Sequence, residues 1–279
     1  MKPEAQFIKF LGTAGARHVV SRQLRASGGI WLQSGGTQVL IDPGPGCLVR
    51  CMQSRPRLHP EELQGIILTH RHLDHSCDVN IMIEAMTDGG TRRRGALFVP
   101  ADALTDEPVV FSYARGFVSE LTVLQEGGRY RVGDLTFETP VRHRHAVETY
   151  GLKFRLPEIT LSIIADTGFF PELAEAYRAD VLVINTLSPE PGGVAAGIHL
   201  NTEDAAFLIR EIKPRLAVLT HFGMRLLNSG PARIAQGLTE RLGIQVIAAE
   251  DGMTVRLDKL GQKNEPESEQ KSMRGWSSG

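Results

Sequence analysis

The chain is poor in cysteine, nearly neutral and free of long hydrophobic runs. Three cysteines in 279 residues are too few for a disulfide framework, so Cys47 and Cys51 are interpreted as free thiols in a reducing compartment, the cytoplasm. The formal net charge of −1 gives no reason to expect a generic polyanion-binding surface. No run approaches the roughly 18 apolar residues of a membrane span, and the first residues contain no signal-peptide core. We therefore expect a cytoplasmic protein that makes no contact with a membrane.

The composition predicts a globular domain with a polar end. Hydrophobic residues make up 42% of the chain, which is enough to bury a sizeable core in one large domain or two similar halves. From about Gly261 onwards the residues are polar and charged, with almost nothing to bury, so 261–279 is predicted to be a disordered tail. The folded domain is therefore assigned to residues 1–260.

Strand and helix patterns alternate along the chain. Apolar residues at i, i+3, i+4 and i+7 predict a helix from Val79 to Met86, with Ser76 as its cap. Apolar runs between turn residues predict early strands at 7–11, 30–33, 37–41 and 96–99, a strand-rich stretch over 120–165, later strands at 181–185 and 216–220, and later helices at 171–178, 202–212 and 232–242. This order predicts an α/β fold with two packed sheets flanked by helices, a four-layer αβ/βα sandwich.

One segment, Thr69-His-Arg-His-Leu-Asp-His75, concentrates metal-binding side chains directly after an apolar run. Side chains two positions apart on an extended backbone point the same way, so His70 and His72 can face one metal ion. Asp74 and His75 follow where the chain turns into a helix and can reach a second ion. Imidazole with carboxylate suits zinc, with manganese or iron as alternatives. A solvated, histidine-rich turn is the competing interpretation, and we favour a dinuclear metal site.

Three further ligand candidates follow predicted strands. They are His145, Asp166 and His221, and each alone could be a cap or turn residue. The same arrangement at four strand ends favours a shared site. His143 lies one alternation from His145 and is the competing ligand at that position.

These residues resemble the motif of the metallo-β-lactamase superfamily, His-x-His-x-Asp-His followed by a His, an Asp and a His. The resemblance runs from Phe10 to about Leu257 and implies the four-layer αβ/βα sandwich. It further implies two metal ions, which we expect to be Zn²⁺, with Mn²⁺ or Fe possible in principle. The implied ligands are His70, His72 and His145 for one ion, Asp74, His75 and His221 for the other, and Asp166 as the bridge.

Within the superfamily, the chain is similar to the branch of ribonuclease Z and the phosphoribosyl cyclic phosphodiesterases. The segment Ile198-His-Leu-Asn-Thr202 carries this similarity, with support from the turn Leu40-Ile-Asp-Pro-Gly44 and from the closing Ala249-Glu-Asp-Gly-Met253. His145 stands six residues before Gly151, as in that branch, which is the reason to prefer it over His143. The branch implies a phosphodiesterase acting on a small or cyclic phosphodiester.

The implied mechanism uses a metal-bridging hydroxide that attacks phosphorus in line. Asp74 would orient this nucleophile and take its proton, and His199 would donate to the leaving oxygen. The competing interpretation of His199 is a loop residue near a helix cap. Asp42, at the end of an early strand, is a candidate partner that fixes a ligand imidazole.

Several alternatives stay open. Ribonuclease Z commonly carries a long arm for tRNA between the third metal histidine and the bridging aspartate, and here only residues 146–165 lie between them. RNA therefore remains a less favoured substrate than a small phosphodiester. Thioesters and lactones, as in enzymes of the glyoxalase II type, are also less favoured substrates. A non-enzymatic binding role is the least favoured function. A homodimer is also open. Arg92-Arg93-Arg94 is interpreted as a solvated turn, Phe111–Arg115 as a less favoured substrate contact, and the loops 100–118 and 187–198 show no recognisable pattern.

Overall fold

Two β-sheets form the centre of the molecule. The structure is a computed structural model that describes residues 5–192 and 197–261. The strands of the first sheet are β1 (Phe7–Phe10), β2 (Ile30–Ser34), β3 (Thr37–Ile41), β4 (Gly65–Ile67), β5 (Ala96–Val99), β6 (Glu120–Val123) and β15 (Thr254–Arg256). Their order is β15-β1-β2-β3-β4-β5-β6, and β3 to β6 run parallel.

The second sheet is built from the later part of the chain. Its strands are β7 (Gly128–Val132), β8 (Leu135–Thr139), β9 (Leu152–Arg155), β10 (Thr160–Ile164), β11 (Val181–Ser188), β12 (Leu200–Asn201), β13 (Leu216–Thr220) and β14 (Val246–Ala248). Their order is β14-β13-β11-β10-β9-β8-β7, with the short β12 beside β11. Strands β10, β11, β13 and β14 run parallel to one another.

Helices cover the outer faces of both sheets. They are α1 (Ala16–Ser21), α2 (Cys47–Gln53), α3 (Leu73–Ser76), α4 (Val79–Met86), α5 (Ser112–Arg115), α6 (Leu173–Ala176), α7 (Thr202–Ile212), α8 (Met224–Ser229), α9 (Pro231–Leu242) and α10 (Asp258–Gly261), with 3₁₀ turns at Pro60–Glu62 and Ala101–Ala103. In the described part of the chain, none of the helices is both long enough and apolar enough to cross a membrane.

The two-residue period of the strands explains the four layers. On β3, Val39 and Ile41 face the second sheet, whereas Leu40 between them packs with α2 and α4. On β11, Val183 belongs to the core between the sheets, whereas its neighbour Ile184 packs against the helices of the second sheet. Because both faces of these strands are buried, the runs Val39–Ile41 and Val181–Ile184 are apolar rather than alternating with polar residues. The predicted αβ/βα sandwich is confirmed.

Some local predictions need correction. Ser76 does not cap the helix Val79–Met86, because it is the last residue of α3 and its hydroxyl donates to the carbonyls of Arg71 and His72. Asp78 precedes α4 instead. Cys47 and Cys51 are buried free thiols, as expected. The predicted tail lies outside the described residues from position 262 on.

The fold gathers the candidate site residues at one edge. Strand β3 ends one residue before Asp42, β4 three before His70, β10 two before Asp166, and β13 one before His221. Parallel strands have their carboxyl ends at the same edge of a sheet, so these side chains lie at the same edge of the sandwich, between the two sheets.

Candidate metal centre

The histidine-rich segment is a rigid loop that turns into a short helix. Thr69 is anchored on both sides, because its carbonyl accepts from the amide of Tyr150 and its amide donates to Asp42. His72 has extended backbone dihedrals and directly precedes α3, so Asp74 and His75 lie in the first turns of that helix. The extended stretch and the helix turn the four predicted ligands towards one point.

Asp166 lies at the centre of the cluster and is almost fully buried. Its Oδ2 is 3.1 Å from His199 Nε2, 3.6 Å from His75 Nε2 and 3.8 Å from His70 Nε2. Its Oδ1 is 3.4 Å from His221 Nε2. The carboxylate therefore presents one oxygen to several imidazoles at once, as a bridging ligand must.

The first triad consists of His70, His72 and His145, whose ligand atoms lie within 4.8 Å of one another. His145 Nε2 is 3.0 Å from His72 Nδ1. The other nitrogen of His145, Nδ1, donates to the carbonyl of Ile198 at 2.9 Å, so Nε2 carries the lone pair that faces His72. Three imidazole nitrogens thus surround one position.

The second triad consists of Asp74, His75 and His221, again within 4.8 Å of one another. Asp74 Oδ2 is 3.4 Å from His221 Nε2 and 3.7 Å from His75 Nε2, and the two Nε2 atoms are 3.1 Å apart. His75 Nδ1 donates to Asp42 Oδ2 at 2.9 Å, which turns its Nε2 inwards. One carboxylate and two imidazoles therefore surround a second position.

The donor atoms fit divalent metal ions. The outer nitrogens of His70, His75 and His145 donate to oxygens, so their inner nitrogens face the centre, and in the neutral imidazoles of His70 and His145 this inner nitrogen carries a lone pair. His70 Nε2 is buried and has no hydrogen-bond partner among the described residues. Facing lone pairs about 3 Å apart repel one another unless a cation or a proton lies between them. Imidazole and carboxylate donors in this number match the preference of zinc-type ions.

Burial keeps the first triad neutral. Burial and the neighbouring His75 hold the pKa of His70 well below its usual range. Burial and His145 lower the pKa of His72 to about 4, and burial also lowers the pKa of His145. Neutral imidazoles are the form that binds a metal ion, so these three residues are ready to do so at neutral pH.

Charge pairing dominates the second triad. Burial disfavours a charged His75, but the carboxylates of Asp74 and Asp166 outweigh burial and hold its pKa well above the usual range. Burial would raise the pKa of Asp74, yet His75 and His221 hold it well below the usual range. The pKa of Asp166 is lowered in the same way, against burial, by His221 and His75. Both carboxylates are therefore ionised.

His143 lies outside the cluster. Its Nε2 is 2.8 Å from the Tyr177 hydroxyl and its Nδ1 is 3.2 Å from the backbone carbonyl of Asp166, so both nitrogens are occupied. Burial lowers the pKa of His143 to about 4. A Cβ at Gly151 would lie 2.5 Å from the Tyr177 hydroxyl and 2.8 Å from His143 Nε2. The glycine six residues after His145 is therefore required by close packing behind the site.

Asn185 is a site residue that the sequence interpretation missed. It lies on β11, its Nδ2 donates to Asp166 Oδ1 at 2.8 Å, and it is 9% exposed. The bond holds the carboxylate so that Oδ2 faces the imidazoles. The sequence signal was an asparagine directly after the apolar run Val181–Ile184, where a buried amide needs a polar partner.

Asp42 contacts Thr69 and His75 of the histidine-rich segment, as expected, and a glycine lies close to another histidine of the cluster. Asp42 has a left-handed backbone (φ 53°) that is held by hydrogen bonds from its amide to Ile67 and from Gly29 and Gly44 to its carbonyl. Gly15 lies against His221. A Cβ there would lie 2.5 Å from His221 Nδ1, so the chain approaches this imidazole too closely for any side chain.

Two of the arginine candidates serve the scaffold. Arg94 donates to backbone carbonyls of Leu63 and Met86, at the far end of α4 from the metal cluster. Arg115 donates to the carbonyls of Leu104 and Val110. Their guanidinium groups thus join neighbouring backbone segments.

Comparisons with known proteins agree with this geometry. A family model described as a β-lactamase superfamily domain matches residues 37–222. The chain is similar to the uncharacterised protein MJ1374 of Methanocaldococcus jannaschii, with 30% identity over 258 residues that cover 90% of this chain and 94% of the relative. It is also similar to a ribonuclease Z of Methanopyrus kandleri, with 24% identity over 287 residues that cover 90% of this chain and 97% of the relative.

A solved structure shows the same fold. The metallo-β-lactamase fold protein YhfI from Bacillus subtilis superposes with a TM-score of 0.72 at 20% sequence identity, and the match covers 90% of this chain and 99% of that chain. Nearly the whole of the described chain therefore follows one known architecture.

Proposed function

The chain belongs to the β-lactamase superfamily with the metallo-β-lactamase fold, and on this premise we propose that it is a dinuclear zinc-dependent hydrolase that cleaves a small or cyclic phosphodiester. The observation that carries the proposal is the pair of triads on either side of Asp166, with His199 Nε2 3.1 Å from the same carboxylate. Superfamily membership supports the metal-dependent hydrolase, and the phosphodiester is the finer inference.

The residues that would hold the ions are the seven expected ones. His70, His72 and His145 would hold one, Asp74, His75 and His221 the other, and Asp166 both. Two bound divalent ions supply Lewis acidity, which lowers the pKa of a water molecule and neutralises charge on phosphoryl oxygens.

Asp74 orients the attacking water and accepts its proton. Its Oδ2 lies between His221 and His75, and the lowered pKa keeps the carboxylate ionised at neutral pH, which a proton acceptor requires. Its position on the helix α3 fixes the oxygen relative to the two triads.

His199 donates a hydrogen bond or a proton to the leaving oxygen. It stands just before β12 and α7, where Leu200 pairs with Thr186 and Asn201 begins the helix with a capping box. In this box the Asn201 side chain accepts from the amides of Glu203 and Asp204. A capped helix start and a strand contact keep the imidazole beside Asp166, as a positioned acid requires.

The length of one connection supports a small substrate. Residues 146–165, between His145 and Asp166, contain β9 and β10 joined by a short turn. The two strands pair with each other, β9 also pairs with β8, and β10 also pairs with β11. This connection has no room for an additional arm that could grip a folded RNA.

A substrate panel on the zinc-loaded full chain tests the proposal. We expect turnover of bis-p-nitrophenyl phosphate and of a cyclic sugar phosphodiester, with much slower turnover of a thioester, a lactone and a phosphate monoester. The Asp166→Ala variant, purified alongside, is the control for contaminating phosphodiesterases. Faster thioester or lactone hydrolysis than diester hydrolysis would overturn the phosphodiester assignment.

RNA processing is the second candidate function. The match to a ribonuclease Z along nearly its full length supports it. Incubation with a precursor tRNA decides between the two candidates: a single cut near the 3′ end, at a rate above that for cyclic diesters, would favour the ribonuclease.

A further inference from the structure

One partly buried carboxylate, that of Asp42, supports a ligand in each triad. Asp42 Oδ2 accepts from His75 Nδ1 at 2.9 Å and from the Thr69 hydroxyl at 2.7 Å. The Thr69 oxygen lies 3.0 Å from His70 Nδ1. Since the hydroxyl hydrogen is given to Asp42, the oxygen accepts from His70. A continuous chain of hydrogen bonds therefore runs from His70 through Thr69 and Asp42 to His75.

The Thr69 hydroxyl is held in one orientation. Thr69 is fully buried, and its own amide donates to Asp42 Oδ1 at 2.7 Å, so amide and hydroxyl hold both oxygens of one carboxylate. The acceptor oxygens of Asp42, together with His70 and His75, form a third cluster close enough to hold a metal ion. In this cluster, however, the Nδ1 atoms are hydrogen-bonded to Thr69 and Asp42, so it is a support for the metal ligands.

We propose that Thr69 is a positioning residue that, through Asp42, links the two metal triads, so that loss of its hydroxyl weakens metal binding at both. His70 belongs to the first triad and His75 to the second, and Thr69 touches no ligand of the second triad. By contrast, the support of His145, the Ile198 carbonyl, contacts one triad alone. The inference rests on the two-metal part of the proposed function and is independent of the substrate.

The physical reason is a shared orientation. Without the Thr69 hydroxyl, one acceptor lone pair of Asp42 Oδ2 loses its donor and the carboxylate can rotate, which loosens the hydrogen bond that aims His75. At the same time His70 Nδ1 loses its buried acceptor, the Thr69 oxygen. The His70 ring is then no longer held in its orientation, and the tautomer with the proton on Nδ1 is no longer favoured. A purely local role would affect the first triad and leave the second unchanged.

The test is zinc titration of metal-free protein against a competing chromophoric chelator. The variants are Thr69→Val, which removes the hydroxyl at equal size, Thr69→Ser, which keeps it, and Thr87→Val as a matched control. Thr87 is equally buried, and its hydroxyl, at the far end of α4, donates to the carbonyl of Ile83 and accepts from the amide of Gly90. We expect both zinc steps to weaken by about 10–100-fold in Thr69→Val, the usual range for losing such a partner. Thr69→Ser and Thr87→Val should bind both ions as the wild type does.

The effect of Thr69 on the second triad is measured separately in a His145→Ala background, where only the second triad binds a zinc ion. Thr69→Val should still weaken this remaining step, by about tenfold. Should His145→Ala fail to fold, Co²⁺ absorption of the Thr69→Val protein resolves a three-nitrogen site from a carboxylate-containing one. An unchanged second site, or a Thr69→Ser protein as weak as Thr69→Val, overturns the inference. A wild type that binds fewer than two ions counts instead against the proposed function.

Discussion

The two triads contain similar side chains in opposite electrostatic states. His70, His72 and His145 all have a lowered pKa and are neutral, because burial and neighbouring imidazoles oppose any positive charge. In the second triad, Asp74 has a lowered pKa and His75 a raised one, so charges are already paired before any metal binds. One position is thus a neutral cage for a cation, whereas at the other a proton competes with the cation.

This difference in charge state indicates different roles for the two triads. The first triad is supported by backbone and by Thr69, and a bound ion there would add positive charge without displacing anything. The second contains the ionised carboxylate of Asp74 and the charged His75, whose Nδ1 donates to Asp42. Under the proposed function, we therefore expect the proton of the attacking water to be accepted on the second side.

Removing Asp166, the residue shared by the two triads, should have the largest effect on turnover and metal content. In Asp166→Ala we expect turnover below detection and loss of most metal from both positions, because its two oxygens face ligands of both triads. Asp74→Ala, which removes a ligand from one triad, should keep about one ion per chain. Metal analysis after gel filtration measures both. Two ions retained in Asp166→Ala would mean that another residue bridges.

His199 lies beside the bridge and belongs to neither triad. In His199→Ala both ions should stay bound while kcat falls by about 10²–10⁴-fold on an unactivated diester, the range for a positioned acid. The loss should shrink with a p-nitrophenolate leaving group, which needs little protonation. Rates on both substrates beside metal content test the role, and equal rates for variant and wild type on both diesters would exclude it.

The sequence predicted the residues of the cluster better than the residues that support them. His70, His72, Asp74 and His75 are close in the chain and follow one strand, so local geometry alone brings them together. Asp166 and His221 follow apolar strands, and parallel strands bring such ends to one edge. His145 follows β8, which pairs antiparallel, and was preferred to His143 for its spacing to Gly151. These patterns depend on features that are local in sequence.

Among the supporting residues, Asp42 follows a strand and was predicted, whereas the roles of Asn185 and Thr69 were not. Asn185 and Thr69 act through hydrogen bonds to residues whose position depends on the packing of two sheets and on strand register, as in the pairing of Asn185 with Thr220. Short helices such as α1 and α2 escaped prediction because fewer than two turns show no clear period. Ser76 was misassigned because α3, a four-residue helix, ends at it before α4 begins.

Replacing Asn185 tests whether metal binding depends on the hydrogen bond that this residue donates to Asp166. Asn185→Leu keeps the volume but removes the donor to Asp166 Oδ1, so we expect metal affinity to fall by about 10–100-fold with two ions still bound at saturation. Asn185→Asp should be worse, because it brings a second negative charge against the Asp166 carboxylate. Zinc competition titrations give the affinities, with Thr87→Val as the reference for a buried polar loss away from the site. Wild-type affinity in Asn185→Leu would show that Asp166 needs no such partner.

Proton release gives the finest separation of the two triads. In the metal-free protein the raised pKa of His75 means that its proton is present at neutral pH and is lost only as pH rises through that pKa. An ion entering the second triad must displace this proton, so its affinity should rise about tenfold per pH unit around neutrality. The pKa values of all three histidines of the first triad are lowered by burial, so this triad carries no proton at neutral pH and its affinity should be nearly flat around neutrality. Calorimetry of His145→Ala, which leaves the second triad, and of His221→Ala, which leaves the first, in buffers of different ionisation enthalpy counts the protons. We expect about one proton released in the former and about none in the latter; equal release would mean that the triads do not differ in charge state.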